Sequence, residues 1–107
     1  MRVLLDEMLP VGVAQLPPGH DVTTVKAAGF TGLNNGELVR RAAAAGYDVL
    51  LTADRNLPEQ QNIGATRLAV VLVPGNRVVE IEPRSSEIDE AVRVARPGTV
   101  TRLGRAG

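Results

Sequence analysis

The chain has 107 residues, which fits one domain, because two separate cores would each bury too little apolar surface. Its 12 basic and 12 acidic residues cancel, so the net charge provides no general attraction to a polyanion. The absence of cysteine and the presence of one histidine exclude disulfides, thiolate nucleophiles and sites built from several imidazoles. Any bound metal must therefore be held by oxygen atoms.

The length of the apolar runs and the residues after Met1 indicate the cellular location of the protein. No run approaches the roughly 20 apolar residues that a membrane-spanning helix needs. The residues after Met1 have neither the basic stretch nor the small-residue cleavage site of a secretory signal. We therefore expect a cytoplasmic protein with no membrane segment.

The first third of the chain alternates short apolar runs with turn residues. Residues 2–5 read as a buried strand, and Pro10 suits the first turn of a helix that runs to about residue 16. Residues 20–25 are rich in β-forming residues and read as a second strand. The glycines and asparagines of residues 29–36 predict a loop.

The middle of the chain predicts a helix followed by a central strand. Apolar and small residues recur at helical spacing over residues 37–45, with Asn34 or Asn35 as the N-cap and Gly46 as the stop. Residues 48–52 read as the third strand, in which Val49, Leu50 and Leu51 are apolar in succession, as is typical of a parallel strand that is covered on both faces.

The last part of the chain predicts two further strands and two helices. A short helix runs to about residue 62 with Pro58 in its first turn, and residues 67–73 form an apolar strand. Residues 78–81 fit a strand extension or a hairpin arm. A helix begins at Ser85 or Ser86, an edge strand covers residues 99–103, and residues 104–107 form a tail.

The alternation of strands and helices predicts the fold class. Such a pattern indicates a mainly parallel sheet of four or five strands, joined by right-handed crossovers and covered by helices on both faces. We therefore predict a three-layer α/β/α sandwich, formed as one domain by residues 1–103.

Acidic residues follow three of the predicted elements, at the edge where ligands bind in open parallel sheets. Asp6 and Glu7 follow the first strand, Glu37 opens a helix, and Asp54 follows the third strand. Carboxylates brought close together repel unless a cation offsets their charge, and Mg²⁺ and Mn²⁺ prefer oxygen ligands. A metal held there would activate water and stabilise a phosphate transition state. The pattern therefore indicates a metal-dependent phosphodiesterase.

Each candidate also has a structural explanation. Aspartate commonly starts turns and caps helices, and Glu37 at a helix start is stabilised by the macrodipole whatever its function. Arg40 and Arg41 would either contact substrate phosphate or form a solvent-exposed face of the helix. We expect His20, which follows a Pro-Gly turn, to have a surface role.

Several segments of the chain resemble the short PIN-like proteins grouped as the DUF5615 or Mut7-C-like set, which are often found as proposed toxins. They are MRVLLDEMLP at residues 1–10, GHDV at 19–22, NGEL at 35–38 and VLLTADRNL at 49–57. The resemblance implies a PIN-like α/β/α sandwich with ribonuclease activity that depends on Mg²⁺ or Mn²⁺. It also implies an antitoxin partner and a homodimer.

The resemblance assigns roles to individual residues. Asp6, Glu37 and Asp54 match the three metal-site acids, and Glu7 is a further candidate ligand. Asn56 stands where many relatives place another aspartate, and its amide oxygen can also ligate a metal. The basic residues near these acids are candidates for substrate binding, and they are Arg40, Arg41 and Arg55.

Two other functions compete with the nuclease. Asn56 and the zero net charge favour a catalytically silent PIN-like domain that binds a protein or RNA. A phospho-receiver domain would also place acids after its first and third strands. Receiver domains resemble one another in using a lysine after the last strand, whereas the one lysine of this chain is Lys26.

Overall fold

The strands of the protein form one sheet. A computed structural model of the chain describes residues 1–9, 20–75 and 77–103, so the helix predicted from Pro10 and the tail at 104–107 lie outside the described residues. Five strands are described: β1 (Arg2–Leu5), β2 (Asp21–Thr24), β3 (Val49–Thr52), β4 (Ala69–Leu72) and β5 (Val100–Arg102). All neighbouring pairs are parallel, and the order across the sheet is β2-β1-β3-β4-β5.

The positions of the strands in the sheet follow from their composition. Every residue of β3 and β4 is buried, as expected for apolar strands that are covered on both faces. The two edge strands, β2 and β5, are only partly buried. The predicted α/β class, the parallel sheet and the edge position of the last strand are confirmed.

The helices lie close to their predicted positions, with one exception. They are α1 (Asn35–Ala44), α2 (Leu57–Gln60), α3 (Val78–Ile81) and α4 (Ser85–Val94), with 3₁₀ turns at Ile63–Ala65 and Glu82–Arg84. The extended structure predicted for residues 78–81 is wrong. This segment is a helical turn because it buries Ile81 in the core and pairs Arg77 with Glu80 three residues later.

Local signals explain where α1 begins and ends. The Asn34 side chain accepts a hydrogen bond from the Glu37 backbone N–H at 2.9 Å, which satisfies one of the unpaired donors of the first turn. Gly46 follows the helix with φ of 85°, a left-handed conformation that favours glycine. The sequence therefore predicted both ends of α1.

Helices cover the sheet on both faces. On one face, α1, α2 and the Ile63–Ala65 turn pack against alternate strand residues, among them Leu4, Leu50 and Val70. On the other face, α3 and α4 pack against the intervening strand residues, among them Leu5, Leu51 and Val71. The architecture is a three-layer α/β/α sandwich.

The connection from β4 to β5 departs from the prediction that all crossovers are right-handed. The connections β2 to β3, β3 to β4 and β4 to β5 all move in the same direction across the parallel sheet. The first two pack on one face and the third packs on the other, so the third has the opposite hand. The apolar stripe of α4, formed by Ile88, Ala91 and Val92, is buried on that second face, which explains this route.

The topology directs attention to the carboxyl ends of β1 and β3. Strand order reverses between these two neighbours, because the chain adds β2 on one side of β1 and the later strands on the other. Open α/β sheets bind ligands at such a point. Among the described residues, no helix is long and apolar enough to cross a membrane.

A candidate functional site at the ends of β1 and β3

Two aspartates are joined through one threonine where the order of the strands reverses. The Thr52 hydroxyl donates to Asp6 Oδ2 at 2.6 Å and accepts from the Asp54 backbone N–H at 3.1 Å. Asp6 is 7% exposed and Thr52 is fully buried. We call Asp6, Thr52 and Asp54 the aspartate site.

Each carboxylate of the aspartate site also accepts hydrogen bonds from its surroundings. The Glu7 backbone N–H donates to Asp6 Oδ1 at 2.8 Å, and the Asn56 backbone N–H donates to Asp54 Oδ1 at 2.9 Å. The side-chain amide of Asn35, in the first turn of α1, donates to Asp54 Oδ2 at 2.9 Å. These donors fix the orientation of both carboxylates.

Glu37 has different partners from the two aspartates. Its carboxylate pairs with Arg40 and accepts a hydrogen bond from Arg41 Nε at 3.0 Å. The hydrogen bond from Arg41 and the charge of Arg40 hold the pKa of Glu37 below its ordinary value of 4.5. We call Glu37, Arg40 and Arg41 the arginine cluster. It lies on α1, which also carries Asn35.

Of the three predicted metal-site acids, Asp6 and the backbone of Asp54 share the Thr52 hydroxyl, whereas Glu37 pairs with arginines. Over residues 1–9, 20–75 and 77–103, no three histidine or acidic side chains form a group that could hold a metal ion. Glu7 and Asn56 are exposed and reach the aspartates through their backbone N–H groups. The three candidate substrate-binding arginines, Arg40, Arg41 and Arg55, are exposed.

Sequence reasoning did not assign roles to the residues that hold the aspartates. The sequence pattern identifies Thr52 only as the end of a buried strand and Asn35 only as a candidate cap. A hydroxyl at the end of an otherwise apolar strand, two residues before an aspartate, was the available signal for Thr52. Asn35 had no comparable signal, because its contact joins residues 19 positions apart.

A further acid lies at the end of β4, where it was not predicted. The Glu80 carboxylate packs against Gly75, and a Cβ atom added to that glycine would overlap it. Arg77 forms an ion pair with Glu80 at 3.6 Å. Glu80 thus occupies the space beside the chain that leaves β4.

The surface role predicted for His20 is wrong. Its side chain is only 5% exposed, and its Nε2 lies 2.8 Å from Asp89 Oδ1 on α4. Arg93 Nε contacts the other oxygen of Asp89 at 3.3 Å. The histidine is buried because α4 packs on the same face of the sheet as the Val22 side chain of β2.

No family model, curated protein or solved structure matches the chain.

Proposed function

We propose that the protein is a ribonuclease dependent on Mg²⁺ or Mn²⁺, with Asp6 and Asp54 as the metal ligands. The observation that supports this proposal is the shared contact of the two aspartates with Thr52, at the reversal of strand order. Glu37 does not bind the metal in this arrangement and instead positions Arg40 and Arg41.

The oxygen atoms of the aspartate site are suitable ligands for such an ion. Magnesium is commonly held by one or two protein carboxylates, while waters and substrate phosphate oxygens complete its octahedral shell. Each carboxylate oxygen of Asp6 and Asp54 has a second lone pair beyond its hydrogen bond from the protein. The side-chain amide of Asn35 contacts Asp54, so its oxygen is a further neutral candidate ligand.

Different residues of the chain would have different roles around this ion. A bound metal lowers the pKa of water and stabilises negative charge on phosphate. Thr52 and Asn35 fix the two carboxylates, so their orientation does not have to be established when substrate binds. Arg55, next to Asp54 in the chain, and the exposed Arg40 and Arg41 would contact the phosphates of RNA.

The resemblance to PIN-like proteins supports a more specific role for the nuclease. Within this proposal the protein is a toxin that acts on cytoplasmic RNA, is neutralised by an antitoxin protein and forms a homodimer. The balanced net charge means that RNA is attracted by local arginines rather than by the whole molecule.

A catalytically silent domain that binds RNA or a protein partner is the second candidate. It is favoured because both aspartates already have donors for both of their oxygens, and because Glu37 pairs with arginines. Carboxylates satisfied in this way can stabilise the fold without a metal.

The first experiment measures cleavage and metal binding together. Wild type, Asp6→Asn and Asp54→Asn are incubated with end-labelled structured and unstructured RNAs, in Mn²⁺, Mg²⁺ or chelator. Calorimetry measures Mn²⁺ binding by the same proteins. We expect cleavage by wild type only with metal, and a loss of about 100-fold or more in each variant, because each removes a charged ligand.

Asp21→Asn is the matched control, because Asp21 is an exposed carboxylate at the start of β2. It should cleave RNA and bind Mn²⁺ as wild type does. Cleavage that survives in Asp6→Asn and Asp54→Asn would exclude the aspartate site as the catalytic centre. Binding of intact RNA by a wild type that never cuts it would favour the silent domain.

A further inference from the structure

Gln61 lies beside the first turn of α1, which also carries the contact to Asp54. A Cβ atom added to Gly36, in the first turn of α1, would lie 3.2 Å from Gln61 Oε1 and 3.5 Å from its Nε2. Asn35, next to Gly36 in the chain, is hydrogen-bonded to Asp54. The Gln61 amide thus lies next to Gly36, and Asp54 is hydrogen-bonded to the neighbouring residue Asn35.

The Gln61 amide has hydrogen-bonding capacity to spare. Gln61 is half-buried, and its side chain makes no hydrogen bond or ion pair with the described residues. A primary amide offers two donors and acceptor lone pairs. The half-buried Gln61 amide is therefore available to bind a ligand.

We infer that Gln61 is a specificity residue that hydrogen-bonds the base next to the cleaved phosphate and favours adenine. This inference rests on the proposed ribonuclease function. A neutral amide contributes little to phosphate binding, for which the chain has exposed arginines, but it matches the paired donor and acceptor of a base edge.

Adenine is favoured because it offers an adjacent donor and acceptor on two edges. The N6 amino group is a donor that lies next to the acceptor N1 on the Watson–Crick edge and next to the acceptor N7 on the Hoogsteen edge. Each other base has an adjacent donor and acceptor on only one of these two edges. Bidentate pairing of glutamine with adenine N6 and N7 is a common protein–nucleic acid contact. An unstacked nucleotide of single-stranded RNA exposes both edges.

The aromatic residues do not provide an alternative means of base recognition. Tyr47 is 8% exposed, and Phe30 packs edge-on against it with a centroid distance of 6.4 Å. Both rings belong to the core on the α1 face of the sheet. Base selection in the proposed site therefore depends on hydrogen bonds rather than on stacking.

Gly36 provides the space that the Gln61 amide occupies. A methyl group at position 36 would approach Oε1 to 3.2 Å, a contact tight enough to displace the amide by a few tenths of an ångström. Gly36 lies within α1 and has no positive φ, so alanine suits its backbone. Gly36→Ala thus perturbs the position of Gln61 without straining the helix.

The test compares single-stranded RNA oligonucleotides that contain one variable nucleotide at each position around the cleaved bond. We measure kcat/KM with Mn²⁺ for wild type, Gln61→Ala, Gln61→Glu and Gly36→Ala. Wild type should prefer adenine by about 10-fold. Gln61→Ala and Gly36→Ala should reduce that preference to about 2-fold or less, while cleavage of the other oligonucleotides changes by less than about 3-fold.

Gln61→Glu should shift the preference toward guanine, because a carboxylate accepts from both N1–H and the N2 amino group of guanine but cannot donate to N1 or N7 of adenine. Gln60→Ala is the matched control, since Gln60 is the exposed glutamine next in the chain, and it should keep the adenine preference. An adenine preference unchanged in Gln61→Ala overturns this inference and leaves the ribonuclease standing. No cleavage of any oligonucleotide by wild type overturns both.

Discussion

The aspartate site and the arginine cluster place similar side chains in contrasting environments. Asp6 is almost fully buried and shares the Thr52 hydroxyl with the backbone of Asp54. Glu37 instead pairs with Arg40 and Arg41, whose side chains are 74% and 57% exposed. An acid that ends a buried strand is held by buried polar groups, whereas an acid on a helix surface pairs with residues three and four positions later.

This difference separates an acid that is held by buried polar groups from an acid that forms exposed ion pairs. Exposed ion pairs contribute at most about 1 kcal/mol, and salt weakens them. Hydrogen bonds to buried charged groups are stronger, and their loss leaves a buried group unpaired. Substitutions in the aspartate site should therefore lower the stability more than substitutions in the arginine cluster.

The largest effect on stability is expected at Thr52. Thr52→Val keeps the shape of the side chain but leaves Asp6 Oδ2 and the Asp54 N–H without their partner, so we expect a loss of about 3 kcal/mol in the free energy of unfolding. Thr52→Ser keeps the hydroxyl and should lose about 1 kcal/mol for the missing methyl group. Urea denaturation measures both, and equal losses would mean that the hydroxyl does not hold the site.

A change at Asn35 tests whether the site accepts a cation. Asn35→Asp replaces the donor to Asp54 with a second carboxylate, and the repulsion should lower the stability by about 2 kcal/mol in the absence of metal. Mn²⁺ should restore most of this loss by offsetting the added charge. Thermal denaturation with and without Mn²⁺ provides the measurement.

Asn35→Ala is the control for that experiment, because it removes the same hydrogen bond without adding charge. It should lose about 1.5 kcal/mol, and Mn²⁺ should recover no larger share of that loss than it adds to wild type. If Mn²⁺ stabilises Asn35→Asp no more than Asn35→Ala, the two aspartates do not form a metal site.

A small effect is expected at Glu37. Glu37→Gln removes two exposed ion pairs, so the free energy of unfolding should fall only slightly and RNA cleavage by less than about 3-fold. Cleavage assays and urea denaturation at low and high salt measure the two quantities. A loss of cleavage as large as that of Asp54→Asn would place Glu37 in the catalytic centre and remove the contrast between the two groups.

The smallest effect is the pH dependence of the arginine cluster. Because the pKa of Glu37 is lowered in the folded protein, chiefly by its hydrogen bond from Arg41, its ion pairs stabilise the fold above pH 4.5. That contribution is lost as the pH falls through the lowered pKa. An NMR titration of the Glu37 carboxylate should show the lowered pKa, and Arg41→Gln should move it back toward 4.5.

Much of the fold was predictable because its signals are local. Val49 to Thr52 form an unbroken buried strand, and Asn34 and Gly46 bound α1 by capping and by a left-handed turn. The segment Val78–Ile81 was not predictable in this way, because four residues with valine and isoleucine have no helical period to detect. Its conformation depends on the contact of Ile81 with the core.

The sequence by itself determined the order of the elements, the parallel sheet and the presence of acids at its carboxyl edge, because these follow from periodicity, turn residues and chain order. Only the tertiary structure decided that Asp6 and Asp54 share Thr52 and that Asn35 holds Asp54. The physical reason is that hydrogen bonds are short and directional. The partner of a carboxylate is therefore decided by how strand β3 and helix α1 are placed in space, which residue spacing along the chain does not specify.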